Sequence, residues 1–65
     1  DAIEEGDNIL LVDDLLATGG TTKASVDLIE ELGGNIVGIA FLLELVDLNG
    51  REKISEYDIF TLLQH

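Results

Sequence analysis

The 65-residue chain has no cysteine, proline, methionine or tryptophan, and only 3 of its residues are lysine or arginine. Without cysteine, neither a disulfide nor a thiolate zinc site can staple it, and that usage fits a cytosolic protein. The single histidine, His65, is the last residue, where fraying is the default, so it does not anchor the fold either. The missing methionine makes the chain read as a fragment or a processed product. Positive charge is scarcest of all: 14 acidic residues against 3 basic ones give a formal net charge of −11. Nucleic-acid binding needs clustered lysine and arginine to neutralise backbone phosphates, and an anionic membrane surface asks for the same, so neither partner is expected. The longest near-apolar run, Ile36 to Leu43, falls far short of the ~20 residues a spanning helix requires. No basic segment leads into an apolar one at the start, so no secretion signal is visible. What is present is apolar: at 46% hydrophobic residues the chain is too rich for an acidic disordered tail. One small, soluble, intracellular unit spanning residues 1–65 is expected, with a core that size alone keeps marginal.

The pattern along the chain gives its order. Asp1 to Asp7 reads as a turn. Ile9-Leu10-Leu11-Val12 is continuously apolar between Asn8 and Asp13-Asp14, which suits a strand covered on both faces. Leu15 to Gly20 reads as a loop. From Thr21 to Leu32 the period changes: Ser25, Leu28, Ile29 and Leu32 fall at i, i+3, i+4, i+7, with Lys23, Asp27, Glu30 and Glu31 off that stripe. Thr18 or Thr21 is a candidate cap for this helix, Gly33-Gly34 end it, and Lys23 and Asp27, four apart, are placed to pair. Asn35 to Val46 is a second strand, Asp47 to Ser55 is polar with one helical turn around Arg51 and Lys53, and Asp58 to Leu63 is a third strand. Strand, helix, strand implies a right-handed parallel crossover, hence an α/β fold. The last strand follows too short a connection to fix its direction.

Chemistry concentrates in Leu10-Leu11-Val12-Asp13-Asp14-Leu15-Leu16-Ala17-Thr18-Gly19-Gly20-Thr21-Thr22. A buried strand delivers two carboxylates to its C-terminal end, the edge where open α/β sheets bind ligands. A glycine-bearing loop then opens a helix whose first N–H groups lack intrahelical partners, a ready anion site. Gly19 and Gly20 let the backbone approach a phosphate, and Thr18, Thr21 and Thr22 add hydroxyl donors. Local N–H dipoles thus allow an acidic chain to bind a polyanion. A carboxylate beside a phosphate needs hydroxyls or a metal ion to face, and ribose hydroxyls or magnesium diphosphate provide them. Asp13 and Asp14 point to opposite faces unless the strand has ended, so they should differ in role. Taken singly, Asp-Asp is usually a turn or a cap, and Gly-Gly a loop; only their placement between strand and helix favours a phosphate site. The Walker A spacing fails, since Thr21 and not lysine follows Gly20, and the dinucleotide G-x-G-x-x-G is absent.

The same stretch resembles the signature of the type I phosphoribosyltransferases, and Val12-Asp13-Asp14-Leu15-Leu16-Ala17-Thr18-Gly19-Gly20-Thr21 looks like their adenine-specific branch. Phe41-Leu42-Leu43-Glu44-Leu45, Leu48-Asn49-Gly50-Arg51-Glu52-Lys53-Ile54 and Tyr57 with Phe60 to Gln64 resemble the C-terminal end of the adenine enzymes. Val46 and Asn49 depart from the proline and lysine expected in many relatives, at positions without chemistry. The resemblance implies part of a Rossmann-like parallel sheet: one βαβ unit plus a C-terminal strand. It implies transfer of a ribosyl 5-phosphate from phosphoribosyl diphosphate, bound with Mg2+, to adenine, giving AMP and diphosphate in a cytoplasmic homodimer active in purine salvage. By the same resemblance Asp13 and Asp14 lie near the ribose hydroxyls, and Ala17, Thr18, Gly19, Gly20 and Thr21 wrap the 5-phosphate. Glu44 and Leu45 lie towards the purine, with Leu45 a contact to the ring; a solvated strand end is the plainer reading of Glu44. Arg51 and Lys53 read as surface or interface charges. The diphosphate-binding basic residues, mobile loop, purine hood and base-facing carboxylate are expected upstream of residue 1, so the chain alone is expected to be inactive. A phosphoribosyl-binding regulatory module is the alternative. A phosphoreceiver domain, which also ends its first strand in an acidic pair, lacks support from the later strand ends, Glu44-Leu45 and Gln64-His65.

Overall fold

The computed structural model describes residues 3–65, in the order β1 (Asn8–Leu16), α1 (Gly20–Glu31), β2 (Asn35–Glu44), two 3-10 turns (Val46–Leu48 and Gly50–Ile54) and β3 (Ile59–Gln64). All three strands are parallel in the order β1-β2-β3, which settles the direction of the last one. The apolar stretches of all three were legible. β1, however, runs on through Asp13-Asp14 to Leu16, so the expected loop from Leu15 shrinks to Ala17–Gly19. The cause is pairing: Asp13 lies opposite Phe41 and Leu16 opposite Glu44, and the ladder overrides the low strand preference of aspartate. His65 is held by its backbone, donating to the Glu44 carbonyl at 2.8 Å and accepting from Val46 at 3.0 Å.

Register decides which side is core. Ile9 pairs with Ile36 but Leu10 with Gly38, so Val37 is an extra residue on β2. Such a bulge shifts the alternation by one, and Ile36 and Ile39 therefore share a face with Ile9 and Leu11. That face meets α1 and the second 3-10 turn around Leu16, Val26, Ile36, Ile39, Phe41 and Ile54, all buried. The opposite face is uncovered within this chain: Val12 is 69% and Leu62 75% exposed. The expectation of a strand covered on both faces is therefore met on one face only.

The helix begins at Gly20 behind Gly19, a left-handed residue (φ 86°), and no side chain caps it; neither Thr18 nor Thr21 takes that role. Its buried residues are Thr22 and Val26, with Ile29 half-buried, while Leu28 and Leu32 are exposed. The expected stripe therefore shares only Ile29 and half-buried Ser25 with the observed one. Apolar residues occupy two adjoining faces of α1, and periodicity does not say which of them this sheet meets. The end is as expected. Gly33 (φ 90°) donates to Glu30 at 3.0 Å and Gly34 to Ile29 at 3.0 Å, the double hydrogen bond of a Schellman close. Lys23 and Asp27 pair at 2.6 Å. No described helix is long and apolar enough to cross a membrane.

Candidate functional site

Parallel pairing with a helical crossover brings the C-terminal end of β1 and the N-terminus of α1 together, and the three-residue connection Ala17–Gly19 makes the turn tight. Left-handed Gly19 reverses the chain there. A Cβ on it would stand 2.5 Å from the Gly50 carbonyl oxygen, so both its dihedral and its surroundings require glycine. Gly20 differs. Its φ is not positive, and the nearest atoms to an added Cβ, outside the helix backbone, are Thr18 Oγ1 at 3.9 Å and Lys53 Nζ at 4.0 Å.

The first helical hydrogen bond runs from Lys23 N–H to the Gly19 carbonyl at 2.9 Å. The N–H groups of Gly19, Gly20, Thr21 and Thr22 come before it and have no intrahelical acceptor. No acidic residue stands in the first turn, so the positive end of the helix dipole is not neutralised by its own sequence. Asp13, Leu15, Ala17, Thr18, Gly19, Thr21 and Thr22 line a cavity of about 230 Å³ at this junction. N–H groups without intrahelical acceptors, threonine hydroxyls and a dipole of the right sign suit it chemically to an anion, with one carboxylate at its edge.

Asp13 and Asp14 part company. Asp13 borders both this cavity and a second one, of about 380 Å³, on the uncovered sheet face with Val12, Leu42, Phe60 and Leu62, whereas Asp14 borders the second and not the first. The Asp14 N–H donates to Asp13 Oδ1 at 2.8 Å, which helps hold the first carboxylate in place. Leu45 follows β2, half-buried, and its N–H donates to the Leu16 carbonyl at 2.9 Å; it stands at the same sheet edge but not in the cavity.

Glu44 is neither solvated nor free to face a ligand. It is buried, its Oε2 accepting from Arg51 Nε at 2.7 Å and its Oε1 from Gln64 Nε2 at 3.0 Å. The Arg51 hydrogen bond holds its carboxyl below the usual glutamate range, against the opposing effect of desolvation. Arg51, whose own side chain is still 42% exposed, thus keeps the surface position expected of it and adds a brace to the buried Glu44. Gly50, which no sequence pattern marks as part of the site, has its backbone against the loop so closely that a Cβ would overlap the Ala17 carbonyl oxygen. The one available signal was the Asn49-Gly50 pair, a turn former.

A family model described as phosphoribosyl transferase domain matches residues 2–64. The chain is 69% identical over 64 residues to an adenine phosphoribosyltransferase of Halothermothrix orenii, covering 98% of this chain and 38% of that protein. Among solved structures, an adenine phosphoribosyltransferase from Thermoanaerobacter pseudethanolicus superposes with a TM-score of 0.96 at 52% identity, over 100% of this chain and 39% of that one. The Saccharomyces cerevisiae enzyme, complexed with adenine and an imino-altritol bisphosphate, gives 0.90 at 42% identity, over 95% of this chain and 36% of that one.

Proposed function

The chain belongs to the phosphoribosyl transferase domain family, and from that premise we propose that it supplies the ribose 5-phosphate site of an adenine phosphoribosyltransferase acting in purine salvage. One observation carries this reading: four helix N-terminal N–H groups, from Gly19 to Thr22, open beside Asp13 on a three-residue loop. The 5-phosphate lies against those N–H groups and the Thr18 and Thr21 hydroxyls. Asp13 accepts hydrogen bonds from the ribose hydroxyls, and Asp14, on the other face, accepts from the sugar or diphosphate end of the substrate. Leu45 offers an apolar contact to the adenine ring at the same sheet edge.

In the reaction, the ribosyl C1–O bond breaks with its electron pair leaving on diphosphate, the N9–C1 bond to adenine forms, and the N9 proton passes to a base outside this chain. The present residues hold the sugar by two ends, which lowers the entropic part of the barrier. Magnesium enters with the diphosphate as part of the substrate. Among the described residues no group of three or more His, Cys, Asp or Glu is placed to hold a metal ion. The family resemblance also supports a cytoplasmic homodimer.

The test is a hybrid in which this chain replaces the matching segment of its 69%-identical relative. It should form AMP from adenine and magnesium phosphoribosyl diphosphate. Asp13→Asn and Asp14→Asn should each lower kcat/KM by about tenfold or more without shifting the melting curve, since charge-assisted hydrogen bonds contribute ~1.5–3 kcal/mol. Wild-type kcat/KM in both variants would show that the carboxylates belong to the strand alone. Ribose 5-phosphate binding without turnover in the hybrid would favour a regulatory module.

A further inference from the structure

The three cations of this acidic chain are placed very differently. Lys23 pairs with Asp27 at 2.6 Å on the outside of α1, and Arg51 pairs with Glu44 at 2.7 Å. Lys53 is exposed, stands outside the residues that line the cavity, and makes no ion pair among the described residues, although the chain carries 14 carboxylates. Its Nζ lies 4.0 Å from the point where a Gly20 Cβ would stand, with Thr18 Oγ1 3.9 Å from the same point. An ammonium group beside the positive end of a helix dipole is electrostatically unfavourable unless an anion lies between them.

That placement follows from how the second 3-10 turn is seated. Gly50 abuts the loop backbone: its own Cβ would come within 2.8 Å of Leu16 Cδ1, and a Gly19 Cβ would collide with its carbonyl oxygen. On the far side Arg51 fastens the turn to Glu44 on β2 and reaches Thr61 on β3. A turn held from both sides presents Lys53, three residues past Gly50, to the helix N-terminus.

Resting on the phosphate site proposed above, we propose that Lys53 is a further ligand-facing residue, its ammonium completing the site for a phosphomonoester dianion carried on a sugar. Lys53 is exposed, as the sequence pattern expects, and so is open to a ligand. A lysine acts there as a point charge on a flexible stem, so it adds attraction without restricting the ligand's orientation.

Calorimetric titration of the hybrid protein with ribose 5-phosphate tests this. Lys53→Ala should weaken binding about tenfold, as expected for loss of a charge-assisted hydrogen bond, and flatten its salt dependence. Adenine binding should stay unchanged, and Lys53→Arg should retain most of the affinity. Lys23→Ala, which removes equal charge from the outside of the helix, should change ribose 5-phosphate binding less than about twofold. If Lys53→Ala binds as the parent does while Gly20→Val loses affinity, Lys53 has no part and the loop assignment stands. An equal loss from Lys23→Ala would reduce the effect to net charge and overturn the proposal. A parent hybrid that binds no ribose 5-phosphate would remove both the site and this inference.

Discussion

Gly19 and Gly20 are adjacent and read alike in the sequence, yet the structure gives them different physical tasks. Gly19 is demanded by the fold: its φ is 86°, and an added Cβ would stand 2.5 Å from the Gly50 oxygen. Gly20 has ordinary dihedrals and open surroundings, so its lack of a side chain matters only to something approaching from outside. Gly19→Ala should therefore destabilise the hybrid by more than about 1 kcal/mol, the least a left-handed alanine costs before any clash. Gly20→Ala should stay within ~0.5 kcal/mol of the parent. Thermal melting of the two variants checks this, and equal melting temperatures would show that the loop relaxes around either side chain. The sequence made the glycine pair visible as the loop that opens the helix. It could not divide the pair, because Gly50, the partner that does so, lies thirty-one positions from Gly19.

Elements were legible where local chemistry sets them. The glycine close of α1 and the Lys23–Asp27 pair follow from short-range rules and came out as read. The buried face of α1 and the length of β1 did not, since each depends on what a neighbouring element offers: Phe41, Leu43 and Glu44 extend β1 by pairing, and the sheet selects Val26 over Leu28. One further contact joins elements far apart in sequence. Tyr57, just before β3, donates its hydroxyl to a Glu30 carboxylate oxygen on the last turn of α1. That hydrogen bond, aided by burial and the nearby carboxylates, pushes the tyrosine up to about 12. An unfolded tyrosine titrates near ~10, so the folded chain holds this proton more tightly. The resulting stabilisation is complete below pH ~10 and is lost as pH rises from there through about 12. Tyr57→Phe should lower stability at neutral pH, and its deficit should shrink across that alkaline range. A deficit independent of pH would mean the phenol is held by packing alone.

At the scale of the whole molecule, the α/β order, the parallel crossover and the position of the glycine loop before the helix were all present in the pattern of apolar runs and glycines. The direction of β3 was not, because a connection of that length permits either sense. The pairing of β2 with β3 from Ile39–Ile59 to Glu44–Gln64 supplies it. The internal brace of Glu44, Arg51, Thr61 and Gln64 also escaped sequence reading, for it gathers residues from both strands and the turn between them. The chain spans 38% of the length of the Halothermothrix orenii relative, and on one sheet face Leu10, Val12, Leu42, Phe60 and Leu62 are exposed within it. We propose that this part of the molecule carries recognition of the sugar phosphate, with groups for the leaving diphosphate supplied elsewhere. Steady-state kinetics of AMP formation by the hybrid, comparing the parent with Gly20→Val, tests it most directly. A Cβ at that position stands 3.9 Å from Thr18 Oγ1 and 4.0 Å from Lys53 Nζ, and a β-branched side chain would crowd the approach proposed for the phosphate. KM for phosphoribosyl diphosphate should rise by about tenfold or more, as expected for the loss of charge-assisted hydrogen bonds, with KM for adenine changed far less. Equal increases for the two substrates, or none for phosphoribosyl diphosphate, would contradict it.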